Sequence, residues 1–239
     1  MSEPISRSLV VLSASLLLGF IALGWLLGHA AIRVKRLDRT VVVKGLSERE
    51  VPADVAIWPL TFQEASNDLN SLFGSLQRKN TQITEFLARH GIARAAISVA
   101  APMVTDLHAQ AYGDKSNILY RYTATSTVTV YSSDVDAVRK AMRDVISLGR
   151  QGVALSGEGY QGQTQFEFTG LSKLKPVMIE EATKNARAVA AKFAADSESR
   201  LGKIRSAQQG QFSIENRDST TPHIKKVRVV STVEYYLAD

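Results

Sequence analysis

The chain contains no cysteine. That absence excludes disulfides, thiolate metal sites and cysteine nucleophiles together, and it suits an oxidising compartment, where a stray thiol is a liability. Histidine is nearly as scarce. His29, His90, His108 and His223 are far apart, and none has a partner at the two- to four-residue spacing that would offer a metal two ligands on one element. No cofactor or metal is expected. Paired carboxylates at an interpretable spacing are also missing: Asp54, Glu64 and Asp106 lie singly in or beside expected strands. No internal repeat is evident.

Charge of one sign is in modest excess. The net charge of +6 divides into two equal parts. Residues 1–39 hold five basic side chains and two acidic ones, a net of +3, and the remaining 24 basic and 21 acidic residues are spread over 200 positions. The local excess sits beside an apolar run, where phospholipid headgroups explain it better than nucleic acid does. The short cluster His223–Arg228 reads either as a solubilising start to the last strand or as a contact for an acidic partner.

What is present begins with that run. Leu9 to Ile32 is 24 residues with no permanently charged side chain, the length needed to cross a hydrocarbon core of about 30 Å. Leu9, Leu16, Leu17, Phe20, Trp25, Leu26 and Ile32 mark it as a single-pass membrane anchor. A cleaved signal peptide is the rival, with small residues at Gly28-His29-Ala30, although the run exceeds the usual h-region. Gly24 and Gly28 form a GxxxG pair that would let two such helices approach. Arg33, Lys35, Arg36 and Arg39 form a basic juxtamembrane flank, and by the positive-inside rule they favour a cytoplasmic domain. The expected organisation is a short tail (1–8), the anchor (9–32), the basic linker (33–39) and one globular domain (40–239). An apolar fraction of 45% and a charged fraction of 22% are those of a folded chain.

Within the domain, apolar periodicity predicts three helices. The first spans about Asn67–His90, with a stripe of Leu69, Leu72, Phe73, Leu76, Ile83, Phe86 and Leu87 interrupted by Lys79 and Asn80. Ser66 or Asn67 is expected to cap it and Gly91 to end it. The second spans about Asp134–Leu148, with Val135, Val138, Met142, Val145 and Ile146 inward and a Ser133/Asp136 capping box. The third spans Pro176–Asp196, with Ile179, Ala182, Ala186, Val189, Ala190 and Phe193 buried. Strands are expected at Thr40–Leu46, Val55–Gln63, Ile97–Leu107, Tyr120–Tyr131, Gln163–Phe168, Lys203–Ile214 and Val227–Leu237. Pro59 marks the second strand as an edge or a bulge. Gly157–Gly162 matches GxGxxG, but a strand-like pattern follows it where the dinucleotide fingerprint needs a helix, so it reads as a glycine-rich connection. The class is α+β: antiparallel or mixed sheets with about three packed helices.

Val41-Val42-Val43-Lys44-Gly45-Leu46-Ser47-Glu48 and Val51-Pro52-Ala53-Asp54-Val55-Ala56 are similar to the opening strand, glycine and Pro-Asp turn of the SIMPL-domain family, with one extra residue between Pro52 and Asp54. The resemblance continues through Phe86-Leu87, Gly91-Ile92, Tyr120–Ala124, Glu181–Arg187 and Leu201-Gly202-Lys203-Ile204. It implies a bacterial protein outside the cytoplasm, in the periplasm or anchored to the inner membrane. It also implies association into homo-oligomers and a loose link to envelope or oxidative stress tolerance. No catalytic residues come with it, so a non-enzymatic assembly or interaction role is expected. The contrasting expectation is a ligand site or active site assembled from scattered polar residues.

Overall fold

The computed structural model describes residues 7–37, 39–109, 118–156 and 163–238, with side chains in the first stretch described at residue 12 and over 15–30. The GxGxxG segment, 157–162, lies outside the described residues. The architecture is α+β, and the chain divides into two compact units.

The larger unit comprises Glu48–Lys175 and Ser213–Val227. Its strands β2 (Val55–Ser66) and β5 (Tyr122–Ser132) pair antiparallel from Ala56↔Ser132 to Ser66↔Tyr122. β3 (Ile97–Val99) and β4 (Met103–Asp106) add to the far side of β5, and β6 (Gln165–Glu167) pairs with Val55–Ile57 of β2. The expected strand Ile97–Leu107 is therefore two, broken at Ala100–Pro102, where Pro102 cannot donate to a ladder. β2 is central rather than an edge. Pro59 is tolerated because β6 stops at Ile57 and the next pairing on that flank is the isolated bridge Phe62↔Leu155, so the missing N–H falls in the gap.

Alternation places Trp58, Leu60 and Phe62 of β2 with Ala124, Val128 and Val130 of β5 on one buried face. Helix α2 (Leu69–Arg89) covers that face with Leu72, Leu76, Ile83, Phe86 and Leu87. Its cap is Asp68, one residue beyond the expected pair, accepting from the Ser71 N–H at 2.8 Å, and Gly91 at φ +83° ends it. The second expected helix is α3 (Val135–Asp144) followed by the single turn α4 (Ile146–Arg150), and Asp134 rather than Ser133 is the cap. Val138, Ala141 and Leu148 are its buried residues; Ile146, expected inward, is 70% exposed.

The smaller unit comprises Met1–Ser47, Pro176–Phe212 and Arg228–Asp239. Its sheet runs in the order β1 (Thr40–Pro52), β9 (Ile224–Ala238), β7 (Arg200–Gln209), and β8 (Ser213–Asn216), whose residues belong to the larger unit, also pairs with β9. The expected strand Lys203–Ile214 is thus also split, as β7 and β8. β7 pairs antiparallel with β9 through two register shifts between Leu201 and Ser206. Helix α5 (Leu171–Asp196) begins five residues before Pro176, which lies inside it. Its buried residues are Met178, Ala182, Ala186, Ala190 and Ala194, a stripe of small side chains that brings strand and helix backbones close. Val189 and Phe193, expected inward, are exposed.

Candidate functional surfaces

Helix α1 (Arg7–Leu37) is one unbroken run of 31 residues, about 46 Å at 1.5 Å per residue. Helical geometry carries on through Arg33, Lys35 and Arg36, whose side chains, like those of Leu9 and Ile32, lie outside the described residues. Among the described side chains every one from Ser15 to Ala30 is exposed, including Leu16, Leu17, Phe20, Trp25 (64%) and Leu26. An added Cβ at Gly24 or Gly28 would meet nothing within 4 Å. The one titratable group of the run is satisfied locally: His29 stacks on Trp25 with ring centroids 4.2 Å apart, and its Nδ1 bonds the Trp25 carbonyl at 3.1 Å. Among the described residues no helix is long and apolar enough to cross a membrane. Arg39 is part of the folded unit: it donates to Ser199 Oγ at 3.2 Å, and its carbonyl accepts from the Leu237 N–H.

The scattered polar residues of the larger unit go to separate structural tasks. Asp54 accepts three bonds, from the Thr169 N–H (2.8 Å), the Thr169 hydroxyl (3.0 Å) and the Gly170 N–H (3.1 Å), so it holds the start of α5. Asp106 takes a two-pronged contact from Arg121, at 2.9 and 3.1 Å, which keeps its carboxyl below the usual carboxylate range. His223 makes an edge contact with Phe166; burial, with Arg139 and Arg217 nearby, pushes its pKa down. Two of the three basic residues that follow are engaged internally, since Lys225 is buried against Asn216 and Lys226 pairs with Glu48 at 2.7 Å, while Arg228 is exposed. Among the described residues no three His, Asp or Glu side chains are grouped as a metal would need.

Lys79 and Asn80, which interrupt the α2 stripe, meet polar partners on the sheet. Lys79 pairs with Glu64 of β2, Ser75 donates to the same carboxylate at 2.6 Å, and Ser126 of β5 donates to Asn80 at 3.1 Å. Burial works to raise the Glu64 pKa, but the bonds from Lys79 and Ser75 outweigh it and hold it below 4.5. The stability this contributes is complete above about pH 4.5 and is lost as the pH falls through the depressed value. Lys79→Met is expected to cost about 1–3 kcal/mol and to move the acid limb of unfolding to higher pH, because burial of Glu64 is then opposed only by the Ser75 bond and the more distant Arg78 charge. Urea midpoints measured between neutral and acidic pH check this; an unmoved acid limb would show the pair to be idle.

Among the described residues both sheets end in open edges. In the smaller unit, β7 is an outer strand, and every residue from Lys203 to Gln209 is exposed, Ile204 at 49%. In the larger unit, β3 and β4 are outermost and leave Val99, Met103 and Val104 exposed. Apolar side chains on an unpaired edge are what native monomers normally avoid.

A family model described as SIMPL, a protein of unknown function (DUF541), matches residues 41–235. The chain belongs to the SIMPL family. No curated protein matches it. Within this SIMPL domain the residues that carried the resemblance have structural work to do. Gly45 lies against the α5 backbone, Asp54 holds the start of α5, Gly91 ends α2, and a Cβ at Gly202 would meet the Tyr236 carbonyl oxygen at 2.8 Å.

Proposed function

We propose that this SIMPL protein is a membrane-tethered, non-enzymatic assembly module of the cell envelope, with α1 as its anchor and its open sheet edges as the surfaces on which copies meet. The observation that carries this reading is α1 itself. A helix that is apolar all round has to be buried somewhere, and the described side chains of α1 are covered by no other part of the chain. A tether also holds copies in one plane and raises their effective concentration, so weak edge pairing suffices for assembly. The scattered polar residues support the non-enzymatic side, since the structural tasks of Asp54, Glu64 and Asp106 account for them.

The full chain in mild detergent, sized by light scattering, is expected to be a homo-oligomer, and Ile204→Lys in β7 is expected to shift it toward smaller species. A strict monomer at high concentration would overturn the assembly reading. The family resemblance favours a periplasmic domain, whereas the flank Arg33–Arg39 favours a cytoplasmic one. Reporters fused after Asp239, one active only in each compartment, decide between them.

A further inference from the structure

We propose that the larger unit binds a phosphate-bearing ligand in the cavity between the ends of α2, α3 and α4. The cavity has a volume of about 510 Å³, within the range of small-molecule sites. Arg89 from the last turn of α2, Arg143 from the last turn of α3 and Arg150 from the end of α4 all line it. Among the described residues none of the three guanidiniums has an ion-pair or hydrogen-bond partner, whereas those of Arg121, Arg139, Arg205 and Arg217 are paired. Among the described residues the one carboxylate lining the cavity, Asp144, is already engaged by His90 Nε2 at 3.1 Å. His90 is fixed in turn by a bond from its Nδ1 to the Phe86 carbonyl (2.8 Å) and by stacking on the Phe86 ring.

A single arginine at a helix C-terminus is ordinary, because the macrodipole favours a cation there. Three from three helix ends around one cavity is a different case. Asp144 removes one charge, and the ends of α2 and α3 contribute roughly half a negative charge each, which leaves the cavity with about one net positive charge. Like charges held together in this way are relieved by an anion with several acceptor oxygens, and the planar guanidinium fork matches phosphate oxygens in pairs. Ser147 supplies a neutral hydroxyl, and exposed Ile146 gives the rim an apolar surface for the rest of the ligand. The site is independent of the tethering proposed above.

The test uses the full chain in neutral detergent. Inorganic phosphate, glucose 6-phosphate and short-chain phosphatidic acid are titrated, with phosphatidylcholine of the same chain length as the reference, and binding is read by calorimetry and by the rise in melting temperature. At least one phosphate probe is expected to bind with a dissociation constant at or below about 10 mM, weakening with salt. Arg143→Gln and the pair Arg89→Gln/Arg150→Gln are each expected to weaken it about tenfold or more while leaving the ligand-free melting temperature unchanged. Arg187→Gln, which removes the same charge from the exposed side of α5, is expected to change nothing. Binding of the soluble phosphates identifies a free metabolite as the source, and binding of phosphatidic acid alone identifies a lipid headgroup. No binding of any phosphate probe, or binding that survives the cavity variants or falls equally in Arg187→Gln, overturns the proposal.

Discussion

Gly45→Ala is expected to destabilise the smaller unit by about 3 kcal/mol or more, at or beyond the upper end of what overpacking ordinarily costs. An added Cβ at Gly45 would lie 1.8 Å from the Ala182 carbonyl oxygen and 2.5 Å from the Ala186 nitrogen. Both are backbone atoms of α5, so no side chain can rotate out of the way. Relief requires the middle of β1 to lift from the helix. Lifting would break the Ser47–Glu181 bond at 3.0 Å and the bond from Asn185 to the Leu46 carbonyl at 2.8 Å, and would uncover Val43. Gly74→Ala makes the control. Gly74 sits inside α2, and its nearest obstacle is the movable Arg78 guanidinium at 3.4 Å. There alanine is expected to stabilise by about 0.5–1 kcal/mol through helix propensity. Urea unfolding of the full chain in detergent measures both. Opposite signs are the expected result; a Gly45→Ala cost below about 1 kcal/mol would mean that β1 and α5 do not pack this closely.

The same contact shows where sequence periodicity succeeds and where it misleads. In β5 strict alternation identifies the inner face, and Ala124, Ser126, Val128 and Val130 are the residues buried. In α2 the stripe is right along most of its length, and the two polar residues that interrupt it meet Glu64 and Ser126. α5 is different because two faces compete. Val189 and Phe193 are more apolar than the alanines beside them, so a hydrophobicity pattern turns the helix toward them. The expected Ala182, Ala186 and Ala190 are buried, with Ala194 in line, while Val189 and Phe193 are exposed, because close approach at Gly45 leaves room only for methyl groups at Ala182 and Ala186. Helix starts follow a related rule. Pro176 looks like a first-turn proline, but α5 begins at Leu171, where Asp54 supplies acceptors from 115 residues away. No local pattern announces a partner at that separation. The arginine cavity was equally hidden: no spacing in the sequence relates Arg89, Arg143 and Arg150, and only the packing of three helix ends brings them together.

On the tethered reading proposed above, Phe20→Arg combined with Ile21→Arg is expected to release the full chain from the membrane. Both residues lie near the middle of Leu9–Ile32, and both are exposed on α1. At the centre of a spanning helix an apolar residue contributes about −0.3 to −0.6 kcal/mol to insertion and arginine about +2.5 to +3.5. Each substitution therefore costs about 3–4 kcal/mol, and the pair about 6–8 kcal/mol, a shift of roughly four to six orders of magnitude in partition. Two adjacent positions on a helix point about 100° apart, so one rotation cannot keep both arginines out of the hydrocarbon. The conservative pair Phe20→Leu and Ile21→Leu keeps the apolar surface and should leave the chain in the alkaline-resistant membrane fraction. Fractionation of cells carrying each variant separates the two ways α1 can be buried. Loss to the soluble fraction in the arginine pair alone identifies lipid as the covering medium. Retention of both variants in the membrane would mean that α1 is covered by protein, and the anchor would have to be sought elsewhere in the assembly.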